Sequence, residues 1–290
     1  LAVVIAGVAL LIQPDGQPQA PQSQTRYATL DLGTHPAYIA EQVSPGDRYE
    51  PGSNTNLTIT DVYATQTDDG VHLWVRVRLI APDQGDTFVY NGGPPRLGRS
   101  LTIATPDYQV GGRIVSVSGT DASLPLTTVP VLLEATMSAE TASRMNAGDR
   151  VKTGNRTVAT VRQVLRYETD SPDRRRAVVL ASLLAYRNRD TLTFGATPVQ
   201  IGRTIHLHTG DYALSGSILR TEVARLPSTE TDVLLRTTLP TEIADRLAVG
   251  DTYDVSGQTV ASIESIDAYG TGNPDRTRLY VGVTYRTLDA

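Results

Sequence analysis

The sequence predicts a mainly β, β-rich α+β protein, built from tandem repeated small barrel or rolled-sheet modules with one short helix each. Three observations predict it. The chain repeats itself at domain length: Val131-Leu132-Leu133-Glu134-Ala135-Thr136 returns 102 residues later as Val233-Leu234-Leu235-Arg236-Thr237-Thr238. Aliphatic and Thr content is high, and the aromatics are 13 Tyr against 2 Phe and 1 Trp, which suits strands with Tyr at half-buried positions. Apolar, β-branched runs are separated by polar turn clusters at regular spacing, the pattern of hairpins.

The same offset aligns Glu140 with Glu242, Ala142 with Ala244, Arg144 with Arg246 and Gly148-Asp149 with Gly250-Asp251. One step back it reaches Gly46-Asp47. A second block recurs 104 residues apart: Pro94, Gly98-Arg99, Asp107-Tyr108, Gly112 and Ile114 return as Pro198, Gly202-Arg203, Asp211-Tyr212, Gly216 and Ile218. With the first block called A and the second B, the chain reads A-B-A-B-A. The period is too long for a solenoid, whose repeats run to about 50 residues, and it fits tandem domains. The expected division is an apolar segment and Pro/Gln linker over 1–25, module 1 over 26–118, module 2 over 129–223, and module 3, block A alone, over 229–290.

Within block A, residues 131–136 read as a strand. Ser138 is placed to cap a short helix that runs to Asn146, with Gly148 in the left-handed conformation at its end. In the third copy the helix falls on 242–247, with Pro240 near its start and Gly250 as its stop. A strand carrying Thr157, Val158, Ala159, Val161 and Val164 follows. A longer strand comes next, at 71–79, 176–186 and 278–285, with alternation near the end of the first. The polar turns 67–70, 170–173 and 272–275 precede these strands and predict hairpins. Block B reads as two short strands, 101–104 and 112–117, with Gly98 and Gly112 at tight backbone positions.

The chain starts at Leu1, and residues 1–12 are continuously apolar, ending at Ile12. Twelve residues make about 18 Å of helix against a hydrocarbon core of roughly 30 Å. The segment reads as the outer end of a transmembrane anchor, as a signal-peptide remnant, as a connector that inserts into a neighbouring subunit, or as a plain core strand. Residues 13–25 hold three Pro and five Gln and make a flexible or extended linker. An anchor, a spacer and folded modules is the layout of a membrane-tethered exterior protein.

Net charge −5 gives a nucleic-acid role no electrostatic support. Arg174-Arg175-Arg176, beside a turn cluster, reads as a solvated loop. Lys152 is the one lysine against 25 arginines, a bias of GC-rich genomes or halophiles. With no cysteine there are no disulfides and no thiolate chemistry.

Site candidates are sparse. His206 and His208, two apart on a strand, face one way and resemble a metal pair, but the repeat puts Thr102 and Ala104 there and no third ligand accompanies them. His35 and His72 read as structural or incidental. The Gly-Asp pairs supply one carboxylate each, which a turn explains better than a calcium loop. No nucleophile elbow, P-loop or acid/base carboxylate pair is present, and residues 90–95 form a glycine-rich loop. No catalytic, cofactor or metal residue is expected. Two sequons, at Asn56 and Asn155, are candidate glycosylation sites.

The apolar start, the stretch Arg26-Tyr27-Ala28-Thr29-Leu30-Asp31-Leu32-Gly33 and the stretch Ala40-Glu41-Gln42-Val43-Ser44-Pro45-Gly46-Asp47 together resemble a family of membrane-anchored proteins of halophilic archaea and cyanobacteria, domain of unknown function 4330. Through the repeat the likeness extends beyond the N-terminal third. It implies a transmembrane anchor and an exterior domain, and carries no activity and no catalytic residues.

Three functions compete on these grounds. The first is a non-enzymatic cell-envelope structural protein, at the cell surface or extracellular, with its membrane or a neighbouring subunit engaged through residues 1–12. The second is a filament subunit, a homopolymer in which residues 1–12 insert into a neighbour whose third block A lacks its block B. The third is a glycan- or ion-binding module using loops such as 90–95, which a binding screen would separate from the other two.

Overall fold

The computed structural model describes residues 23–52, 54–82, 87–117, 119–226, 228–255 and 258–288. Residues 1–12 lie outside them, so the expectations placed on that segment are carried by sequence alone. The chain is mainly β, with eighteen strands and three short helices among the described residues. The strands lie in three curled antiparallel sheets.

The first sheet contains β1 (Ser23–His35), β2 (Arg48–Gly52), β3 (Thr55–Thr67), β4 (Gly70–Pro82), β5 (Ser100–Ala104) and β6 (Gln109–Val117), in the order β2-β3-β4-β1-β6-β5. A single turn of helix, α1 (Ala37–Ala40), follows β1. The second sheet contains β7 (Leu126–Ser138), β8 (Arg150–Thr153), β9 (Arg156–Glu168), β10 (Arg174–Asn188), β13 (Thr204–His208) and β14 (Ala213–Thr221). Two further strands, β11 (Thr191–Phe194) and β12 (Thr197–Pro198), run off β10, and α2 (Ala139–Arg144) follows β7. The third sheet has four strands: β15 (Ser228–Pro240), β16 (Thr252–Val255), β17 (Gln258–Gly270) and β18 (Arg276–Leu288), ordered β15-β18-β17-β16, with α3 (Thr241–Ala244) after β15.

The hairpins expected from the polar turns form. Thr67 pairs with Gly70, and Glu168 pairs with Arg175 across the turn before β10. Gly270 pairs with Thr277. The strands reach further than the apolar runs: 131–136 grows to the thirteen residues of β7, because its polar ends still find ladder partners on β10. The pair β11–β12 was not expected, since Thr191–Phe194 carries no run long enough to announce a strand.

Two helix expectations need correction. The helix expected to reach Asn146 stops at Arg144, and Met145 is already extended at φ −75°, ψ 129°. Met145 is fully buried in the second core, so the backbone leaves the helix to deliver that side chain. Buried Arg166 closes the end, donating from Nε to the Ala142 carbonyl at 2.7 Å and from its guanidinium to that of Met145. Ser138 caps the start as expected, its Oγ accepting from the Thr141 N–H at 3.0 Å. Gly148 keeps a positive φ of 99° but sits in the following turn, its N–H bound to the Val161 carbonyl at 2.8 Å. In the third sheet the helix covers Thr241–Ala244 rather than 242–247.

The first core packs Leu30, Leu32, Leu57, Ile59 and Leu73 against Leu101, Ile103 and Ile114 of the β5–β6 hairpin. The second packs Val131, Leu133, Val161 and Val179 against Ile205, Leu207, Leu214 and Ile218 of β13–β14. The third is small: Ala244, Leu279 and Val281 are its buried members among the described residues.

The alternation in β4 does not separate a core face from a wet one. Residues 71–77 are buried on both faces, Arg76 at 4 % exposure. The outward face carries His72, Trp74 and Arg76, and the second sheet covers it. Trp74 stacks on Tyr186 with ring centroids 4.5 Å apart and donates from its indole to the Gly195 carbonyl at 3.3 Å. Tyr63 donates to the Leu184 carbonyl at 2.5 Å, and Arg156 pairs with Asp61 at 2.8 Å. Gly195 has φ 58°, and a Cβ there would collide with the Thr65 hydroxyl, so the contact of these two sheets requires a glycine.

Candidate interaction edge on the third sheet

The hairpins β5–β6 and β13–β14 do the same work in their sheets. β6 pairs with β1, setting Ile114 opposite Leu30, and β14 pairs with β7, setting Ile218 opposite Leu133. Each crossing is tight. A Cβ on Gly112 would lie 2.8 Å from the Asp31 carbonyl, and one on Gly216 would lie 3.1 Å from the Leu133 Cβ. Each hairpin also carries a tyrosine that reaches back to the Gly-Asp turn. The Tyr108 hydroxyl donates to Asp47 Oδ2, and that of Tyr212 donates to Asp149 Oδ2 at 2.8 Å. Burial and the adjacent carboxylate push both tyrosines well above their ordinary pKa.

The third sheet repeats the receiving half of this arrangement. Asp251 accepts from the Ala248 N–H at 2.7 Å, as Asp149 does from Asn146 N–H at 2.7 Å and Asp47 from Ser44 N–H at 2.9 Å. Gly250 N–H binds the Ile263 carbonyl at 2.8 Å, as Gly148 binds Val161 and Gly46 binds Ile59. Each carboxylate closes its own turn, as the turn reading of the Gly-Asp pairs expects.

What differs is the edge. β15 lies at the end of its sheet and pairs with β18 alone among the described strands. Leu234 is 68 % and Leu235 51 % exposed, whereas Leu132 and Leu133 at the corresponding places in β7 are 2 % and 0 % exposed. The register is unchanged: Leu133 faces Val179 and Leu235 faces Val281. In β7 the Pro130 carbonyl points to the β14 side, where it accepts from Glu222 N–H at 2.8 Å. The two groups of a strand residue point to one side and alternate along the strand. By the shared register, the backbone groups of Asp232, Leu234 and Arg236 therefore face the open edge. An edge of this length with two exposed leucines is a template for another strand.

The other candidate residues scatter. His206 and His208 share a face of β13, as expected. The His206 Nδ1 lies 2.9 Å from Asp68 Oδ1 and 2.9 Å from Ser215 Oγ. Among the described residues no group of three His, Asp or Glu side chains converges on a metal position. His35 donates from Nε2 to the Leu32 carbonyl at 3.0 Å. His72 is buried beside Trp74, with Nδ1 3.3 Å from Thr34 Oγ1 and Nε2 3.0 Å from Asp31 Oδ1. Burial alone would raise the Asp31 pKa, but the bond and charge of His72 and the Gly33 N–H together hold it below its ordinary value. The 90–95 loop is occupied from inside: Arg99 donates to the carbonyls of Tyr90, Gly93 and Asn91 at 3.0, 2.5 and 2.7 Å.

Asn155 is exposed at the β8–β9 turn, whereas Asn56 lies within β3, its amide donating to Glu50 at 3.2 Å and accepting from Thr58 at 2.9 Å. A cleft of about 810 Å³ separates the second and third sheets, lined by Leu132, Tyr167, Leu219, Tyr253, Val260 and Tyr285 among others. Its charged residues are engaged locally, Arg176 with Glu134 and Arg286 with Glu230. No described helix is long and apolar enough to cross a membrane.

An unpaired edge on the third block A was expected, and among the described strands β15 pairs with β18 alone. The contact between the first two sheets was not expected, although Trp74 and Gly195 are unrepeated residues and so carried a signal. No protein-family model, no curated protein and no solved structure matches the chain.

Proposed function

We propose that this chain is a non-enzymatic structural protein of the cell envelope, made of tandem β-rich modules with one short helix each, and that it joins a partner by strand addition at its third module. The edge of β15 carries this reading: among the described strands it pairs with β18 alone, and Leu234 and Leu235 are exposed where the first two sheets bury the equivalent positions under a hairpin. The equivalent strand orders β2-β3-β4-β1 and β16-β17-β18-β15, with the Gly-Asp turn and a helical turn at the same places, support the modular part. The apolar segment and linker support a surface location.

Strand addition gives affinity through main-chain hydrogen bonds and specificity through alternate side chains, so such a protein needs no reactive group. Hydrogen exchange tests the reading. Amides of Asp232, Leu234 and Arg236 become at least tenfold better protected in the assembled protein than in the dilute chain, and Leu235→Arg removes that protection. Assembly of the Leu235→Arg chain at the parent's concentration would sink the reading. So would a hydrolytic activity lost on carboxylate substitution.

A further inference from the structure

Tyr90 and Gly93 form an antiparallel bridge around a two-residue turn, Asn91-Gly92. Asn91 has φ 44° and Gly92 φ 81°, and a turn whose two central residues are left-handed takes Asn-Gly readily. The second sheet makes a matching turn 104 residues on, where Phe194 pairs with Thr197 around Gly195-Ala196. The fold therefore needs a left-handed first residue at this place and does not need Asn followed by Gly. Asn91-Gly92 is the one Asn-Gly step in the chain, and both of its residues are exposed.

Arg99, itself half-buried, is fixed on the carbonyls of this turn. Its Nη1 donates to those of Tyr90 and Gly93 at 3.0 and 2.5 Å, and its Nη2 donates to that of Asn91 at 2.7 Å. The N–H groups of Tyr90 and Gly93 close the bridge on each other's carbonyls, while that of Gly92 has no backbone acceptor among the described residues. The Asn91 carbonyl and the Gly92 N–H belong to one peptide unit. Loss of the Gly92 proton therefore places negative charge on the oxygen that Arg99 holds. A fixed donor at an atom where charge develops lowers the barrier to that step. Gly92 also has no Cβ to obstruct the Asn91 side chain. The matching turn in the second sheet has no side-chain amide and cannot react in this way.

We propose that Asn91-Gly92 is a self-modification site, at which Arg99 promotes cyclisation of the asparagine side chain onto the next peptide nitrogen. The Gly92 nitrogen bonds to Asn91 Cγ and the Cγ–Nδ2 bond breaks. Ammonia leaves with the proton of the Gly92 N–H, and a succinimide ring remains. Water, the one co-reactant, then opens the ring at either carbonyl. Opening at Cγ gives aspartate. Opening at the former Asn91 carbonyl carbon gives isoaspartate, whose new carboxylate includes the oxygen that Arg99 already holds. Either product places a negative charge beside Arg99 where the parent turn has none, and the isoaspartyl product also lengthens the turn by one backbone atom.

Peptide mapping of the full chain by mass spectrometry at mildly alkaline pH, with enzymatic methylation of isoaspartate, tests it. Asn91 in the folded parent converts about tenfold faster than in the same chain unfolded in urea. Arg99→Gln brings the folded rate down to the urea rate or below it. Arg99→Lys, which keeps a cation and loses the forked donors, falls between the two. The direction separates this role from a merely structural one, because a turn loosened by the loss of its clasp would convert faster. A folded parent that converts no faster than the unfolded chain overturns the proposal. So does an Arg99→Gln chain that converts at the parent's rate or above it. If circular dichroism shows that Arg99→Gln does not fold, the parent's folded and unfolded rates decide the matter by themselves.

Discussion

β7 and β15 match in length and in register on the inner neighbour but differ in cover. Both have thirteen residues, both follow the same register on their inner neighbour, and both lead into a short helix. β7 has β14 on its other side and its leucines are buried; among the described strands β15 has no such neighbour, and its leucines are exposed. Residue type is the same at both places, so burial here is set by whether a hairpin arrives, and the difference between the sheets can be measured site by site.

The largest contrast is expected from truncating the central leucine. Leu133→Ala removes a fully buried side chain among Val179 and Ile218 and costs about 2–5 kcal/mol. Leu235→Ala, at the equivalent half-exposed place, costs less than about 1 kcal/mol in the isolated chain. Native-state amide exchange in β7 and β15 reads the two sheets separately. Equal costs would mean that β15 is already covered in solution.

A smaller contrast lies in the tyrosine clasp. Tyr212→Phe removes a hydroxyl bonded to the Asp149 carboxylate and costs about 1.5–3 kcal/mol. Asp251, which has no tyrosine donor among the described contacts, is expected to tolerate Asn with a smaller loss. Urea unfolding of the two variants checks this, and a larger loss from Asp251→Asn would show that the third turn is clasped by a partner.

The smallest effects are those of pH, and they fall on the covered sheets. Asp31 is held below its ordinary pKa, so its ionised form favours the folded state. That contribution is present above the unfolded carboxylate value of about 4 and is lost as pH falls through the lower folded value. Asp31→Asn should flatten the acid side of a stability profile. Buried Tyr63, Tyr108 and Tyr212 are raised instead, so the stability linked to them is complete below about pH 10 and is lost as pH rises past it. Thermal melts at stepped pH, followed by exchange in each sheet, should show alkaline loss in the first two sheets before the third.

Much of this was legible in residues. The polar turns located hairpins, and Ser138 announced its cap. Helix length was misread because Ala139, Ala142 and Met145 keep helical spacing while the backbone turns outward to bury Met145. The alternation near the end of the 71–79 strand reports two faces without saying what lies on either, so it left open that both faces of residues 71–77 are buried.

By itself the sequence determined the local grammar: strands, turns, the Gly-Asp closures and the absence of a cysteine. Those follow from short-range sterics and hydrogen bonding, which neighbouring residues settle. Only the tertiary structure decided which strand edges are paired, that the second sheet covers Trp74, and that Leu235 is exposed while Leu133 is not. Those are contacts between residues far apart in the chain, and cover is a property of the neighbour that arrives rather than of the residue it reaches.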